Sequence, residues 1–172
     1  VELGCGTGKN TDFLLKKATK IIALDFSDKM LEKAKFKIQE DRVEFRLTDL
    51  NKDWQISADF ADLITANLVL EHIKNLDFIF KEANKVLKNQ GYFFICELHP
   101  FKQYLGSKAR FETKEGLKEL QCYTHHISEF IEIAKNNDFY CVELKEWFDK
   151  DDLKEIPRLL GIVFKKGKGT GF

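Results

Sequence analysis

The 172-residue chain is predicted to be an α/β protein, a parallel sheet covered by helices on both faces. Two observations carry that reading. Short apolar runs alternate with segments of helical periodicity along the chain, the pattern of successive βαβ units. The first unit opens on Val1-Glu2-Leu3-Gly4-Cys5-Gly6-Thr7-Gly8, a strand end running into a loop with glycine at every second position. Glycine lacks Cβ and tolerates positive φ, so this spacing permits a plain tight turn or a backbone lying against a ligand.

The elements follow in order. Phe13, Leu14 and Leu15 fit a helix after the loop, and Lys20 to Asp25 is the second strand. Ser27 can cap the next helix, on which Met30, Leu31, Ala34 and Ile38 recur at helical spacing. Val43 to Leu47 reads as the third strand, Phe60 to Asn67 as the fourth, and Leu76 to Leu87 as an amphipathic helix ending before Gly91. Tyr92 to Leu98 is the fifth strand, apolar enough for the centre of a sheet. Beyond His99-Pro100 the alternation lapses for about 25 residues, a length that compact domains reserve for lids and binding loops. Residues 99–125 are therefore expected to form a substrate lid. A helix around Ser128 to Asn136 and strands near Tyr140 to Trp147 and Leu159 to Phe164 complete the pattern, and Lys165 to Phe172 is expected to be a frayed tail. No repeat or linker divides the chain, so residues 1–172 read as a single domain. Val1, Glu2 and Leu3 are few for a parallel strand, which reads as truncated at its start.

Lys plus Arg equals Asp plus Glu at 28 each, so no overall field attracts nucleic acid or an acidic membrane surface. No apolar stretch approaches the roughly 20 residues that span a bilayer. A soluble, cytoplasmic protein is expected. Cys5, Cys96, Cys122 and Cys141 are widely spaced and form no C-x-x-C pair, which fits reduced thiols. Cys96 and Cys141 lie in apolar runs and read as small core residues.

The run Ile21-Ile22-Ala23-Leu24-Asp25 ends in an acid 17 residues after Gly8. In a βαβ unit that acid falls at the carboxyl end of the second strand, where a carboxylate can accept both hydroxyls of a ribose. An adenosine-containing ligand follows. A dinucleotide fingerprint reads G-x-G-x-x-G, whereas here the third glycine comes one residue early and Lys9 stands in its place.

Glu2-Leu3-Gly4-Cys5-Gly6-Thr7-Gly8, with Ala23-Leu24-Asp25-Phe26-Ser27 and Met30-Leu31, resembles the opening of a class I S-adenosylmethionine-dependent methyltransferase of the type 11/25-like small-molecule branch. Later segments continue the likeness in order: Thr48-Asp49-Leu50, Asp62 to Asn67, Leu70-Glu71-His72-Ile73, and Val86 to Ile95. The resemblance implies a doubly wound, mostly parallel seven-stranded Rossmann-like sheet whose last two strands form an edge with one antiparallel member. It also implies a further helical segment ahead of the first strand. The implied cofactor is S-adenosylmethionine, with Gly4, Cys5, Gly6 and Gly8 against its amino acid half and Glu2 favouring its ammonium. Asp25 takes the ribose hydroxyls, Asp49 the adenine amino group with Leu50 packing nearby, and Asn67 offers a main-chain carbonyl. Asp25 and Asp49 also fit ordinary strand-end acids, and Phe26 either flanks the adenosine or packs in the core.

Acceptor residues are sought at the carboxyl ends of the fourth and fifth strands, where ligands of doubly wound sheets sit. His99 directly follows the fifth strand and is read as base or substrate ligand, with a structural role as the alternative. His72 fits a helix start. Of His125 and His126, one faces the pocket while the other packs or caps; His126 is taken as a second base, and Tyr104, Arg110 and His125 as substrate contacts beside Gln103. Arg110 could hold a carboxylate or simply be solvated. Trp147 and Phe148 line a pocket or belong to the core. A metal site from Cys122, His125 and His99 lacks a strong ligand spacing, and no metal is expected.

The function expected is methyl transfer from S-adenosylmethionine to a small-molecule acceptor at oxygen, nitrogen or carbon. Three rivals are weighed. A nicotinamide-dependent oxidoreductase should show the wider glycine spacing and a catalytic Tyr/Lys or His constellation. A non-catalytic S-adenosylmethionine-binding regulator or scaffold would keep loop and acid without turnover. An amino-group nucleic-acid methylase should carry Asn/Asp-Pro-Pro-aromatic where Asn67-Leu68-Val69-Leu70 stands.

Overall fold

A computed structural model describes residues 1–106, 110–113, 116–119, 121–149 and 156–169. The sheet strands are β1 (Glu2–Leu3), β2 (Ile21–Asp25), β3 (Val43–Leu47), β4 (Ala61–Asn67) and β5 (Leu87–Leu98). A hairpin, β6 (Arg110–Thr113) and β7 (Gly116–Glu119), forms its own two-stranded sheet, and β8 (Phe139–Phe148) and β9 (Pro157–Lys166) complete the main sheet. Its seven strands run in the order β3-β2-β1-β4-β5-β9-β8. The first five pair in parallel, and β9 is antiparallel to both β5 and β8.

Alternating side chains on β2 explain the two covered faces. Ile22 and Leu24 enter the main core with α3 (Leu76–Val86) and α5 (Ile127–Asn136), where Phe80 meets the rings of Phe93, Phe139 and Phe164 edge-on. Ile21 and Ala23 point the other way, into a smaller cluster with Cys5 and Leu31. Leu14 and Leu15 from α1 (Lys9–Leu14) and its end pack there, and Leu31 comes from α2 (Asp28–Lys37). Every residue of β2 is buried, as the continuous apolar run requires. Ser27 caps α2 by accepting from Met30 N, and Asn75 caps α3 by accepting from Phe78 N.

Four expectations change. The fifth strand starts at Leu87, directly after α3, because residues 88–91 form an irregular insertion between the pairs Ala61↔Leu87 and Leu63↔Tyr92; its left-handed residue is Gln90, φ 64°, which stands just before Gly91. The segment after β5 carries structure of its own, α4 (Pro100–Tyr104) and the β6–β7 hairpin; residues 107–109, 114–115 and 120 of the expected lid lie outside the described residues. Lys165 and Lys166 belong to β9 rather than to a tail. Lys166 Nζ donates to the carbonyls of Asn84 (2.7 Å) and Leu87 (2.6 Å), groups that the end of α3 leaves without helical partners. Residues 170–172 lie outside the described part. Finally, Cys96 and Cys141 are half-buried rather than fully buried, with Cys141 packed against the rim of the main core, and none of the four cysteines forms a disulfide.

Candidate functional site

Pairing of the short β1 with both neighbours fixes the site. Leu3 is opposite Leu24 on one side and Ala66 on the other, so the loop that starts at Gly4 leaves the sheet between Asp25 and Asn67. Asp25 is buried, and its carboxylate joins loop to strand: Oδ2 accepts from Gly6 N at 2.8 Å and Oδ1 from Ser27 N at 2.9 Å. Each oxygen keeps lone-pair capacity for a further donor. Cys5 N donates to Leu24 O at 2.9 Å, which anchors the loop a second time.

The glycines divide by what a Cβ would meet. At Gly4, φ +66°, it would stand 2.5 Å from Val69 Cγ2, so this glycine is required by the protein's own packing. At Gly6, φ +52°, nothing lies within 4 Å. The loop is therefore open at its midpoint, beside Asp25, where its backbone can lie against a ligand. Gly8 closes the loop as the left-handed N-cap of α1.

Glu2 lies beneath the loop, buried, with its carboxylate accepting from the Thr11 hydroxyl at 2.5 Å. Burial pushes its carboxyl up to about 7, against the pull of the Thr11 bond. Cys5 turns its side chain into the small core, and burial pushes its thiol up to about 12; only its backbone faces the loop. Thr48 N donates to Asp25 O at 2.8 Å, which brings Asp49 to the same rim. Asp49 is exposed and held below the usual carboxylate range by the Asn51 backbone N–H and side chain, each at 3.0 Å. Leu50 is buried in the main core and its carbonyl accepts from Trp54 Nε1. Phe26 is 75% exposed, so the core alternative fails and its ring stands free beside Asp25.

On the other side of the loop, the turn after β4 holds Leu68, φ 51°, and then the 3-10 turn Leu70–His72. Glu97, buried at the end of β5, accepts from Val69 N (3.2 Å), Leu70 N (3.1 Å) and Glu71 N (3.4 Å). Burial pushes its carboxyl up to about 7, opposed by these amides and aided by the neighbouring Glu71 charge. The sequence reading assigned Glu97 no role, although an acid in the otherwise apolar run Tyr92–Leu98 is a signal for a buried, partnered carboxylate. Glu71, also buried, accepts from Gln103 Nε2 of α4 at 3.4 Å.

His99 does not fit the role of base. It is 0% exposed, its Nδ1 accepts from Phe101 N at 3.2 Å as the N-cap of α4, and its Nε2 faces Glu146 Oε1 at 3.0 Å. Both ring nitrogens are engaged, so the histidine ties α4 to β8. His125 is the member of its pair that packs: buried, with Nε2 donating to Ile73 O at 2.8 Å and Nδ1 facing Glu129 at 3.1 Å, it lacks the access a substrate contact needs. His126 is exposed, and its Nδ1 shares a 2.5 Å hydrogen bond with the Tyr104 hydroxyl, bringing together two residues named separately from the sequence. Arg110 has its backbone in β6, and its side chain lies outside the described residues. His72 Nδ1 meets Gln121 O at 3.2 Å and Cys122 Sγ at 3.8 Å. Among the described residues no three His, Cys, Asp or Glu side chains are grouped as metal ligands, and Cys122, His125 and His99 do not converge.

A cavity of about 280 Å³ opens at the carboxyl ends of β4, β5 and β8, walled by Leu68, Leu98, Leu159, Trp147 and Phe148. Trp147 and Phe148 are thus pocket rather than core, and Arg158, paired with Asp149 at 2.9 Å, stands at the same cavity.

This sheet order, with one antiparallel strand next to the edge and an acid-flanked glycine loop after the first strand, defines the Rossmann-like methyltransferase fold. The chain belongs to the methyltransferase domain family, whose model matches residues 1–95. It is 28% identical over 145 residues to a ubiquinone biosynthesis O-methyltransferase of Pelagibacter ubique, covering 80% of this chain and 60% of that protein. To a malonyl-[acyl-carrier protein] O-methyltransferase of Priestia megaterium it is 39% identical over 93 residues, 53% of this chain and 33% of that protein. The chain therefore spans less than two thirds of the curated relatives it matches. Solved S-adenosylmethionine-dependent methyltransferases from Mesorhizobium loti and Clostridium acetobutylicum share the fold, with TM-scores of 0.78 and 0.77. Each is 19% identical over 96% of this chain, covering 89% and 82% of those chains respectively. Among the described residues no helix is long and apolar enough to cross a membrane.

Proposed function

We propose that the chain is an S-adenosylmethionine-dependent methyltransferase acting on a small, largely apolar acceptor. The observation that carries this reading is the open midpoint of the glycine loop at Gly6, set between Asp25 and Asn67 with Glu2 beneath. Bound S-adenosylmethionine supplies a methyl group already activated on a sulfonium. Asp25 would hold its ribose, Glu2 its ammonium, Asp49 its adenine amino group and Asn67 a main-chain contact, with Phe26 beside the adenosine.

What remains for the protein is to place the acceptor in line and exclude water. The apolar walls at Leu68, Leu98, Leu159, Trp147 and Phe148 suit an uncharged ring or short chain. The two curated relatives are O-methyltransferases by name, and oxygen is the acceptor atom favoured here. An acceptor hydroxyl must lose its proton, and the exposed Tyr104–His126 pair is the group proposed to take it. Four cysteines without a disulfide support a cytoplasmic setting.

The test is acceptor-dependent release of S-adenosylhomocysteine, measured with a panel of phenolic, enolic and carboxylic small molecules. Turnover with any of them supports the reading. Tight cofactor binding with no turnover on any acceptor would favour a regulatory or scaffold protein.

A further inference from the structure

Glu97 lies between the two halves of the site. It accepts from three consecutive amides, Val69, Leu70 and Glu71, which follow the left-handed Leu68. A leucine in that conformation is strained, so the turn needs an external tie. On one flank the turn carries Val69, whose side chain fills the space over Gly4. On the other it carries Glu71, which takes Gln103 of α4 through its carboxylate and Tyr123 N through its carbonyl at 2.7 Å.

We propose that Glu97 is a positioning residue for methyl transfer, its carboxylate holding the Asn67–His72 turn against the glycine loop so that cofactor affinity depends on the anchor. The inference rests on the cofactor reading above. Protonation would replace an acceptor oxygen by a hydroxyl donor facing N–H groups, and the anchor would weaken. The groups around the Glu97 carboxylate are Glu71 on the turn, whose Oε1 lies 3.9 Å from His72 Nε2, Cys96 next to Glu97 on β5, uncharged Gln103 on α4, which bonds Glu71, and Leu160 opposite on β9. With its carboxyl at about 7, Glu97 is mostly ionised at pH 8 and mostly neutral at pH 6, so affinity rises with pH.

The experiment is calorimetric titration with S-adenosylhomocysteine at pH 6 and pH 8 on the wild-type chain, Glu97→Gln, Val69→Ala and Asn137→Ala, with thermal melts of each. Asn137 is buried in hydrogen bonds to Asp77 and Ile133 at the end of α5, outside the site, and serves as a stability control. Glu97→Gln is expected to bind about tenfold more weakly at pH 8, the effect of losing a charge-assisted bond. It should also show a smaller rise between pH 6 and pH 8 than the wild type, while Asn137→Ala binds within twofold of wild type. Glu97→Gln binding within twofold, keeping the full wild-type pH rise, or losing no more affinity than Asn137→Ala at equal thermal loss would each overturn the proposal. If Glu97→Gln does not fold, Val69→Ala decides: weakened binding supports the positioned turn and unchanged binding overturns it. Absence of binding by the folded wild type would instead overturn the cofactor reading, and this proposal with it.

Discussion

Gly6→Ala separates folding from binding. The glycine has φ +52° and a Cβ built on it meets nothing within 4 Å, so the ligand-free protein bears only the left-handed penalty, about 1 kcal/mol. For a domain of this size that is a melting temperature lower by about 2–4 °C. A ligand seated on the loop would meet the new methyl, and overpacking of that kind costs about 1–3 kcal/mol, a loss of roughly 5- to 150-fold in affinity. Gly4→Ala reverses the pattern, because its Cβ would lie 2.5 Å from Val69 Cγ2 and the damage falls on folding itself. Thermal melts without ligand and calorimetry with S-adenosylhomocysteine measure the two quantities. Gly6→Ala binding within twofold of wild type, or destabilised as much as Gly4→Ala, would refute the assignment of the open side to the cofactor.

Asp25→Ala removes both loop ties and the ribose acceptor, so affinity for S-adenosylmethionine should drop by about 1.5–3 kcal/mol, with calorimetry as the check; unchanged affinity contradicts the ribose role. Burial pushes the carboxyls of Glu2 and Glu97 up to about 7 in the folded protein, against an ordinary value of 4.5. Between those values the folded state retains protons that the unfolded chain has lost, so stability falls as pH rises from about 5 to about 8, by up to about 3 kcal/mol per group. Urea unfolding at the two ends of that range tests the sign, and Glu2→Gln should flatten part of the slope. His126→Gln should lower turnover of a hydroxyl acceptor at least about 100-fold while leaving cofactor affinity within twofold. Equal turnover would remove the Tyr104–His126 pair from the chemistry.

What could be read from the sequence was local. Strands buried on both faces, such as Ile21–Asp25, announce themselves as continuous apolar runs, and the glycine loop and its acid are set by spacing within one βαβ unit. The strand start at Leu87 was hidden because residues 88–91 form an irregular insertion, and the helix and strand signals run together there. The role of Lys166 depends on carbonyls 79 and 82 residues away, which no local pattern reveals. The acceptor side follows the same rule. His99 sits where a base would be expected, yet Glu146, 47 residues later, and the Phe101 amide take both its nitrogens. Glu97 acts through amides 26 to 28 residues earlier, and the cavity walls at Trp147 and Leu159 meet only once β9 turns back between β5 and β8.

The most direct test of the central claim is calorimetric titration of the folded chain with S-adenosylmethionine, S-adenosylhomocysteine and NAD in parallel. Binding of the first two and not NAD is the result predicted by the loop at Gly6 and the acid at Asp25. Binding of NAD alone, or of none of the three, would contradict it.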